Sequence, residues 1–474
     1  MTTPSALQAQ DALALADRIW EHDVLPTLST YIEIPCRSPA FDGNWRENGQ
    51  LAQAAELLAS WCRAQGIPGL SVEVLALDSR PPVIFMELPG KGDRAVLLYG
   101  HYDKQPEGGI WREGLGPWKA VREGDRLYGR GAADDGYSVF AVLAALRILR
   151  EQGKDHARCV VLIEGAEESG SAGLPAYVEA LRERIGEPNL VVCLDAGAGN
   201  YDQLWLTTSL RGVLAGVLTV RSLVSGVHSG VASGIVPSTF RIVRRLLSRI
   251  EDEATGRVLL DALHVEVPPE RRAALVETAK VVVPGLLRSL PWADGTQPMS
   301  PDLTETLLNQ TWRPALSVTG ASGMPPVEAA GNVLRPLTSV KLSMRIPPRV
   351  DAASALRALK AALESDPPYG AEVSFTPEVP APGWDAAPLS PWLDAASQGA
   401  SLAFFGNPRG LLAEGASIPF MAMLSARFPK AELVVTGVLG PHSNAHGPNE
   451  LLHLPMAKKL TCCVATLLAE HIAG

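Results

Sequence analysis

Cysteine is scarce in this chain. Cys36, Cys62, Cys159, Cys193, Cys462 and Cys463 are the only six in 474 residues, with no Cys-x-x-Cys pair and no framework spacing. That excludes a disulfide scaffold and fits free thiols in a reducing, cytoplasmic compartment. Long apolar runs are also missing: no window reaches the roughly 18 apolar residues that a membrane span needs. The opening MTTPSALQAQDALALADRIW lacks the basic and apolar blocks of a secretory signal. Positive charge is short, with 42 Lys+Arg against 51 Asp+Glu and a formal net charge of −9, and no basic run is dense enough to neutralise a phosphate backbone. Neither a membrane nor a nucleic acid is expected as a partner. The sequence has no G-x-S-x-G elbow and no phosphate-binding P-loop, and GRGAADDG lacks the G-x-G-x-x-G spacing of a dinucleotide site.

What is present is an ordinary globular composition, 46% hydrophobic and 20% charged, at a length that suggests two or three domains. Helical spacing runs from about Ala6 to Leu25 and again from Leu51 to Gln65. SVEVLAL and PPVIFMEL flank Asp78-Ser79-Arg80 as a hairpin-like pair. Short, wholly apolar runs follow: AVLLYG, CVVLIEG, LVVCLDAG and, much later, LVVTGV. Such runs are the mark of strands buried on both faces. Helical stretches at Tyr137 to Glu151 and Leu174 to Ile185 separate them, which predicts an α/β catalytic layer, mostly parallel, with helices on both faces.

From about Leu210 the rhythm changes. Two helices, Pro237 to Ile250 and Asp351 to Glu364, alternate with four strand patterns and predict an inserted ferredoxin-like α+β unit. The polar, Pro-containing and partly helical stretch from about Glu251 to Pro314 reads as an insertion within it. After TPEVPAPGWDAAPLSP the apolar patterns resume and end in a helix from about Pro455 to Ile472. The expected domains are 1–210 and 382–474, together forming the catalytic unit, with 211–381 between them.

Acidic residues and histidines gather where the apolar runs end. His101 and Asp103 follow AVLLYG; Glu164, Glu167 and Glu168 follow CVVLI; Asp195 ends LVVCLD; His446 follows LVVTGV; and Asp134 and Asp135 precede a helix. In an open α/β sheet the crevice beyond the carboxyl ends of the strands binds ligands. Each pair of carboxylates about 4 Å apart there would cost roughly 4 kcal/mol at an effective dielectric of about 20. A cation is needed to offset several such pairs. Imidazoles among carboxylates suit Zn²⁺, with Mn²⁺ or Co²⁺ as alternatives, rather than Mg²⁺ or Ca²⁺. One or two transition-metal ions are expected.

At these residues the sequence resembles the co-catalytic di-zinc exopeptidases and aminoacylases of peptidase family M20, and within it the carnosine/nonspecific dipeptidase branch. The resemblance runs nearly the whole length, through GHYDKQP, LYGRGAADDG, EGAEESGS, the CLD strand end, GVHSGVASG, SMRIPP, EGASIPF and SNAHGPNE. It implies two divalent metals, Zn²⁺ first: His101 and Asp195 on one, His446 and Glu168 on the other, and Asp134 bridging. It further implies Glu167 as general base on a metal-bridging water, Asp103 orienting His101, and a non-proline cis peptide after Asp134. From the inserted unit, acting as a lid and a homodimer interface, His228 would donate to the oxyanion. Arg345, Asn332 and Ser417 would bind substrate, Arg345 through its carboxylate. The activity implied is hydrolysis of dipeptides or short peptides with a free C-terminal carboxylate. An N-acyl-amino-acid or N-carbamoyl amidohydrolase on the same metals, and a non-catalytic binding protein on the same fold, are the rival readings. Lys104, Gly136, Tyr137, Leu412 and Ala413 depart from the family pattern beside the expected cleft.

Overall fold

The computed structural model describes residues 7–472. Helices α1 (Ala9–Ile19) and α2 (Gln50–Ala64) come first, then strands β1 (Ser71–Leu75), β2 (Val83–Leu88) and β3 (Ala95–His101). They are followed by α3 (Tyr137–Glu151), β4 (Arg158–Glu164), β5 (Leu190–Cys193) and β6 (Trp205–Leu210). The inserted stretch holds β7 (Gly212–Arg221), β8 (Val227–His228), α4 (Thr239–Leu247), α5 (Pro269–Ser289) and α6 (Leu303–Thr311). It continues through β9 (Ala315–Ser322), β10 (Val333–Leu334), β11 (Leu337–Ile346), α7 (Ala352–Glu364) and β12 (Glu372–Pro377). The chain returns with α8 (Pro391–Phe405), β13 (Gly410–Glu414), β14 (Glu432–Val435) and α9 (Leu454–His471).

The main sheet has six strands in the order β1-β2-β4-β3-β5-β14. The four from β4 to β14 run parallel, and the β1–β2 hairpin forms an antiparallel edge. Period-2 alternation explains the unbroken apolar runs. Val96, Leu98, Val161 and Ile163 point into one core with α2, α3 and α9, while Leu97, Tyr99, Val160 and Leu162 point into a second core on the opposite face. Because both faces are covered, neither set can be polar. Helix α3 is buried on nearly every side, so its sequence shows little amphipathic contrast.

The inserted unit is a four-stranded antiparallel sheet ordered β9-β11-β7-β12, the ferredoxin-like arrangement. Its core pairs Leu214, Leu218 and Leu342 with Ile242 and Leu246 of α4 and Leu359 of α7. The Glu251 to Pro314 insertion does not simply cap this sheet. Its helices α5 and α6 form a hairpin whose apolar side, including Leu275, Leu308 and Trp312, packs with Ala413 of β13. Arg271 at its start pairs with Asp385 at 3.0 Å.

Local differences from the sequence reading have physical causes. The first helical stretch continues through a π-turn at Trp20–Val24 into a helix at Leu25–Ile32, because Trp20, Val24 and Leu28 keep one buried face. Its beginning at Ala6 lies outside the described residues. The stretch from Leu174 breaks at Leu181 into two short helices. No described helix is long and apolar enough to cross a membrane.

Candidate metal centre

Parallel pairing in register sets His101 of β3 beside Glu164 of β4, so the segments after both strands leave the sheet at the same edge. Asp195 follows β5, and the loop carrying His446 follows β14 at that edge. Asp134 is delivered by the segment ahead of α3, with a cis peptide between Asp134 and Asp135. Segments far apart in sequence therefore meet in one crevice.

There Asp134 lies between two imidazoles. Its Oδ1 is 3.3 Å from His101 Nε2 and its Oδ2 is 3.1 Å from His446 Nε2. Asp195 Oδ2 lies 3.6 Å from His101 Nε2, and Glu168 Oε2 lies 3.2 Å from His446 Nε2. Candidate ligand atoms of His101, Asp134 and Glu168, and those of His101, Glu167 and Asp195, all fall within 4.8 Å of one another in each group. His446, with 58% of its side chain exposed, forms the open side of an otherwise buried cluster. Its loop is conformationally demanding: His442, Asn444, His446 and Asn449 all have φ between 52° and 67°, a region that side-chain-bearing residues adopt only where the surroundings require it.

The charges do not balance comfortably without a cation. Burial raises Asp195 to about 7 and pushes Glu167 well above the usual carboxylate range, with Asp195 and Glu168 adding to it. Burial also raises Glu168, with Asp134 next in importance. Burial opposes the charged form of His101, yet the Asp103 and Asp134 carboxylates hold it well above its ordinary value. His446, partly desolvated, is held at about 11 by Asp134 and Glu168. His101 Nε2 is buried and lacks a hydrogen-bond partner among the described residues. An orphaned imidazole nitrogen aimed between two carboxylates is what a metal ligand presents. The residues present fit transition-metal ions.

Around the cluster is a supporting set. Asp103 Oδ1 lies 3.4 Å from His101 Nδ1, but its carboxylate also accepts the backbone N–H groups of Glu167 and Glu168, each at 3.1 Å. Gln105 donates to Glu168 Oε2 at 2.6 Å. Two residues went unselected in the sequence: Arg130 and Glu450. Glu450 Oε1 accepts from the backbone N–H of Ala133 and Asp134 at 3.1 and 3.3 Å. Arg130 reaches Glu450 Oε2 at 2.7 Å, Gly447 O at 2.8 Å and Pro106 O at 3.0 Å. The available signal was their position: ionic side chains closing the LYGRG and HGPNE segments, where glycine and proline otherwise dominate.

Glu164 is set apart from the cluster, because it accepts hydrogen bonds from Tyr99 and from Ser171. Nor does Lys104 line the cleft: it is buried, with Nζ donating to the carbonyls of Tyr31, Ile32 and Ile34 at 2.7, 3.2 and 2.8 Å. Tyr137 donates to Leu194 O. At Gly136 a Cβ would sit 2.2 Å from Tyr31 Cε1 and 2.5 Å from Gly131 O, so only glycine fits. Lys104, Gly136 and Tyr137 thus pack into the core rather than into the crevice, whereas Ala413 packs with α5 and α6.

The remaining expected site residues form two separate pairs. His228 is exposed, its Nδ1 accepts from Gly230 N at 3.1 Å, and the backbone carbonyl of neighbouring Asn332 accepts from Ser229 N at 2.9 Å. Neither makes a hydrogen bond or ion pair with the cluster among the described residues. Arg345 donates to Ser417 Oγ at 3.0 Å, and Ser417 donates to Arg211 O at 2.5 Å. Burial lowers Arg345 from its ordinary value, and it has no carboxylate partner among the described residues.

The sequence model of Peptidase family M20/M25/M40 matches residues 97–470. Cysteinylglycine-S-conjugate dipeptidase of Corynebacterium striatum is 27% identical over 424 residues, 86% of this chain and 89% of that protein. Cys-Gly metallodipeptidase of Saccharomyces cerevisiae is also 27% identical, over 60% of this chain and 59% of its own length. The fold matches the structure of di-peptidase Dug1p from Saccharomyces cerevisiae with a TM-score of 0.80 and 19% identity, covering 99% of this chain and all of that one.

Proposed function

Starting from the fact that the chain belongs to Peptidase family M20/M25/M40 and is a metallopeptidase of dipeptidase type, we propose that it cleaves the peptide bond of dipeptides with a free C-terminal carboxylate. The observation that carries this reading is Asp134 set between His101 and His446. His101 and Asp195 would hold one divalent ion, His446 and Glu168 a second, with Asp134 shared between them; zinc suits this donor set first, manganese or cobalt second. When bound, such ions bring the pKa of water toward neutrality and polarise the scissile carbonyl.

The chain's own groups do the rest. Glu167 takes the proton from the attacking water and returns it to the leaving amine. Its carboxylate is close enough to His101 and Asp195 to be a ligand, and its assignment as base follows the family resemblance. Asp103 fixes His101 and, through two backbone N–H groups, the turn carrying Glu167 and Glu168. The Arg345 guanidinium receives the substrate carboxylate, for which its planar fork is suited, with Ser417 orienting it. Asn332 precedes Val333, the strand partner of His228, and would bind substrate from the same part of the inserted unit.

His228 donates to the oxyanion from a lid domain, proposed as residues 211–381 between catalytic segments 1–210 and 382–474. Exposed Val224, Val231 and Ile235 flank His228, which supports a homodimer through the lid and delivery of His228 to the partner's site. All six cysteines are free, in keeping with a reducing, cytoplasmic setting. The names of the relatives make cysteinylglycine the first substrate to try.

The test is metal content of the purified protein together with hydrolysis of dipeptides and N-acyl amino acids after reconstitution with Zn²⁺, Mn²⁺ or Co²⁺. About two ions per chain with dipeptide cleavage is the expected result. Preference for N-acyl amino acids would assign the site to an amidohydrolase, and no bound metal with no turnover would leave a binding protein.

A further inference from the structure

Away from the metal centre, a cavity of about 780 Å³ opens where the α5–α6 hairpin meets the start of β9. Its volume is that of a small-molecule site, and a junction between packed units is where such sites recur. One wall is apolar, formed by Leu286, Leu287, Leu290, Trp292 and Met299. Its charged lining is of a single sign: Arg211, Arg257 and Arg313, with no Asp or Glu.

The three arginines differ. Arg313 is neutralised by Glu305 at 2.6 Å. Arg257 is exposed and makes no ion pair among the described residues. Arg211 is only 8% exposed. Its Nε donates to Gly415 O at 3.1 Å, and its Nη1 donates to Asn309 O and Arg313 O at 3.3 and 3.4 Å. Every acceptor is a neutral carbonyl, and Nη2 has no hydrogen bond among the described residues. Burial, with Arg345 nearby, lowers Arg211 to about 10. A buried cation without an anion is costly unless a ligand supplies one.

We propose that this cavity binds a small amphipathic carboxylic acid, its carboxylate on Arg211 Nη2 and its apolar body against Leu287, Leu290 and Trp292. Arg257 stands at the exposed margin and draws in the same charge. The site is separate from the metal crevice, because none of the metal-cluster residues lines it. It nevertheless shares Arg211 with the segment carrying Gly415 and Ser417.

Calorimetric titration with decanoate tests this, with decanol and decyltrimethylammonium as the uncharged and cationic comparisons. Carboxylates also ligate metal ions, so the titration is run on metal-loaded and metal-stripped protein. The expected result is one decanoate per chain in both forms, with the comparison compounds at least about tenfold weaker. Leu287→Trp, which fills the apolar wall, should weaken decanoate at least about tenfold while leaving dipeptide hydrolysis unchanged. Arg257→Glu, at an exposed position where folding is not at risk, should weaken it severalfold and reduce its salt dependence. The proposal is overturned if decanol binds as tightly, if binding needs the metals, if neither variant weakens it, or if no binding is seen up to about 1 mM.

Discussion

Arg130 and Glu450, separated by 320 residues, form an ion pair of 2.7 Å with both side chains almost wholly excluded from solvent. The second carboxylate oxygen of Glu450 holds the backbone of Ala133 and Asp134, so the pair fixes the proposed bridging ligand from behind. Removing one partner leaves the other charge buried. Glu450→Gln is expected to cost about 3–5 kcal/mol in urea unfolding and to weaken metal affinity about 10–100-fold. Arg130→Met with Glu450→Leu should recover part of the stability but not the affinity. Equal losses in the single and double variants would show that the pair is not the unit.

Glu167→Gln is expected to keep its metal and lose about 10²–10⁴-fold in kcat, the usual share of a general base. Glu168→Gln should instead lose metal. Elemental analysis beside steady-state kinetics separates the two, and metal loss from Glu167→Gln would move that residue into the ligand set.

His228→Ala should lower kcat about 10²–10³-fold, the worth of one oxyanion donor, at unchanged metal content. Mixing it with Glu167→Gln after dissociation and reassociation should restore activity if His228 serves the partner's site. Mixed preparations that stay inactive would assign His228 to its own chain's site or to none.

Arg345→Gln is expected to raise KM for a dipeptide by about 10–100-fold and to spare the same dipeptide as its C-terminal amide. Arg345→Lys should recover only part, because a lysine cannot offer the paired N–H geometry. Equal effects on acid and amide would remove the carboxylate from this role.

His471 is fully buried, and neither ring nitrogen has a hydrogen-bond partner among the described residues. Burial, with Arg94 nearby, lowers it from 6.5 to about 4. The unfolded chain therefore takes up this proton first as pH falls. Its contribution to stability is complete above about 6.5, declines between 6.5 and 4, and is lost below about 4. His471→Leu should flatten the fall in Tm over that window, and an unchanged pH profile would exclude His471 as the cause.

Much of this was legible from sequence because burial on both faces leaves a plain mark. AVLLYG, CVVLIEG, LVVCLD and LVVTGV carry the pattern of strands buried on both faces, and the proposed ligands His101, Glu168, Asp195 and His446 stand at or just after their ends. The ferredoxin-like inserted unit was likewise expected from two helices set among four strand patterns, while the strand order came from the structure. What could not be read was contact that depends on closure. Arg130 and Glu450 look like surface ions until the chain brings them together. Asp103 was assigned to His101 alone, since nothing local announces that its carboxylate faces the N–H groups of Glu167 and Glu168. Lys104 beside an expected cleft invited a specificity role, whereas three backbone carbonyls behind the strand claim its ammonium. The stretch holding α5 and α6 was legible as partly helical, but not their packing, because Ala413, which joins their apolar cluster, lies far along the chain on β13.

The crevice closes with the loop after β14, and this gives synthesis a direction. Strands β1 to β5 and the whole inserted unit are synthesised before His446 and Glu450. Until they arrive, Asp134 has neither its second imidazole nor the carboxylate that holds its backbone. The proposed ligand set is thus incomplete until the loop after β14 has been made, and a product truncated before that loop would lack His446 and Glu450.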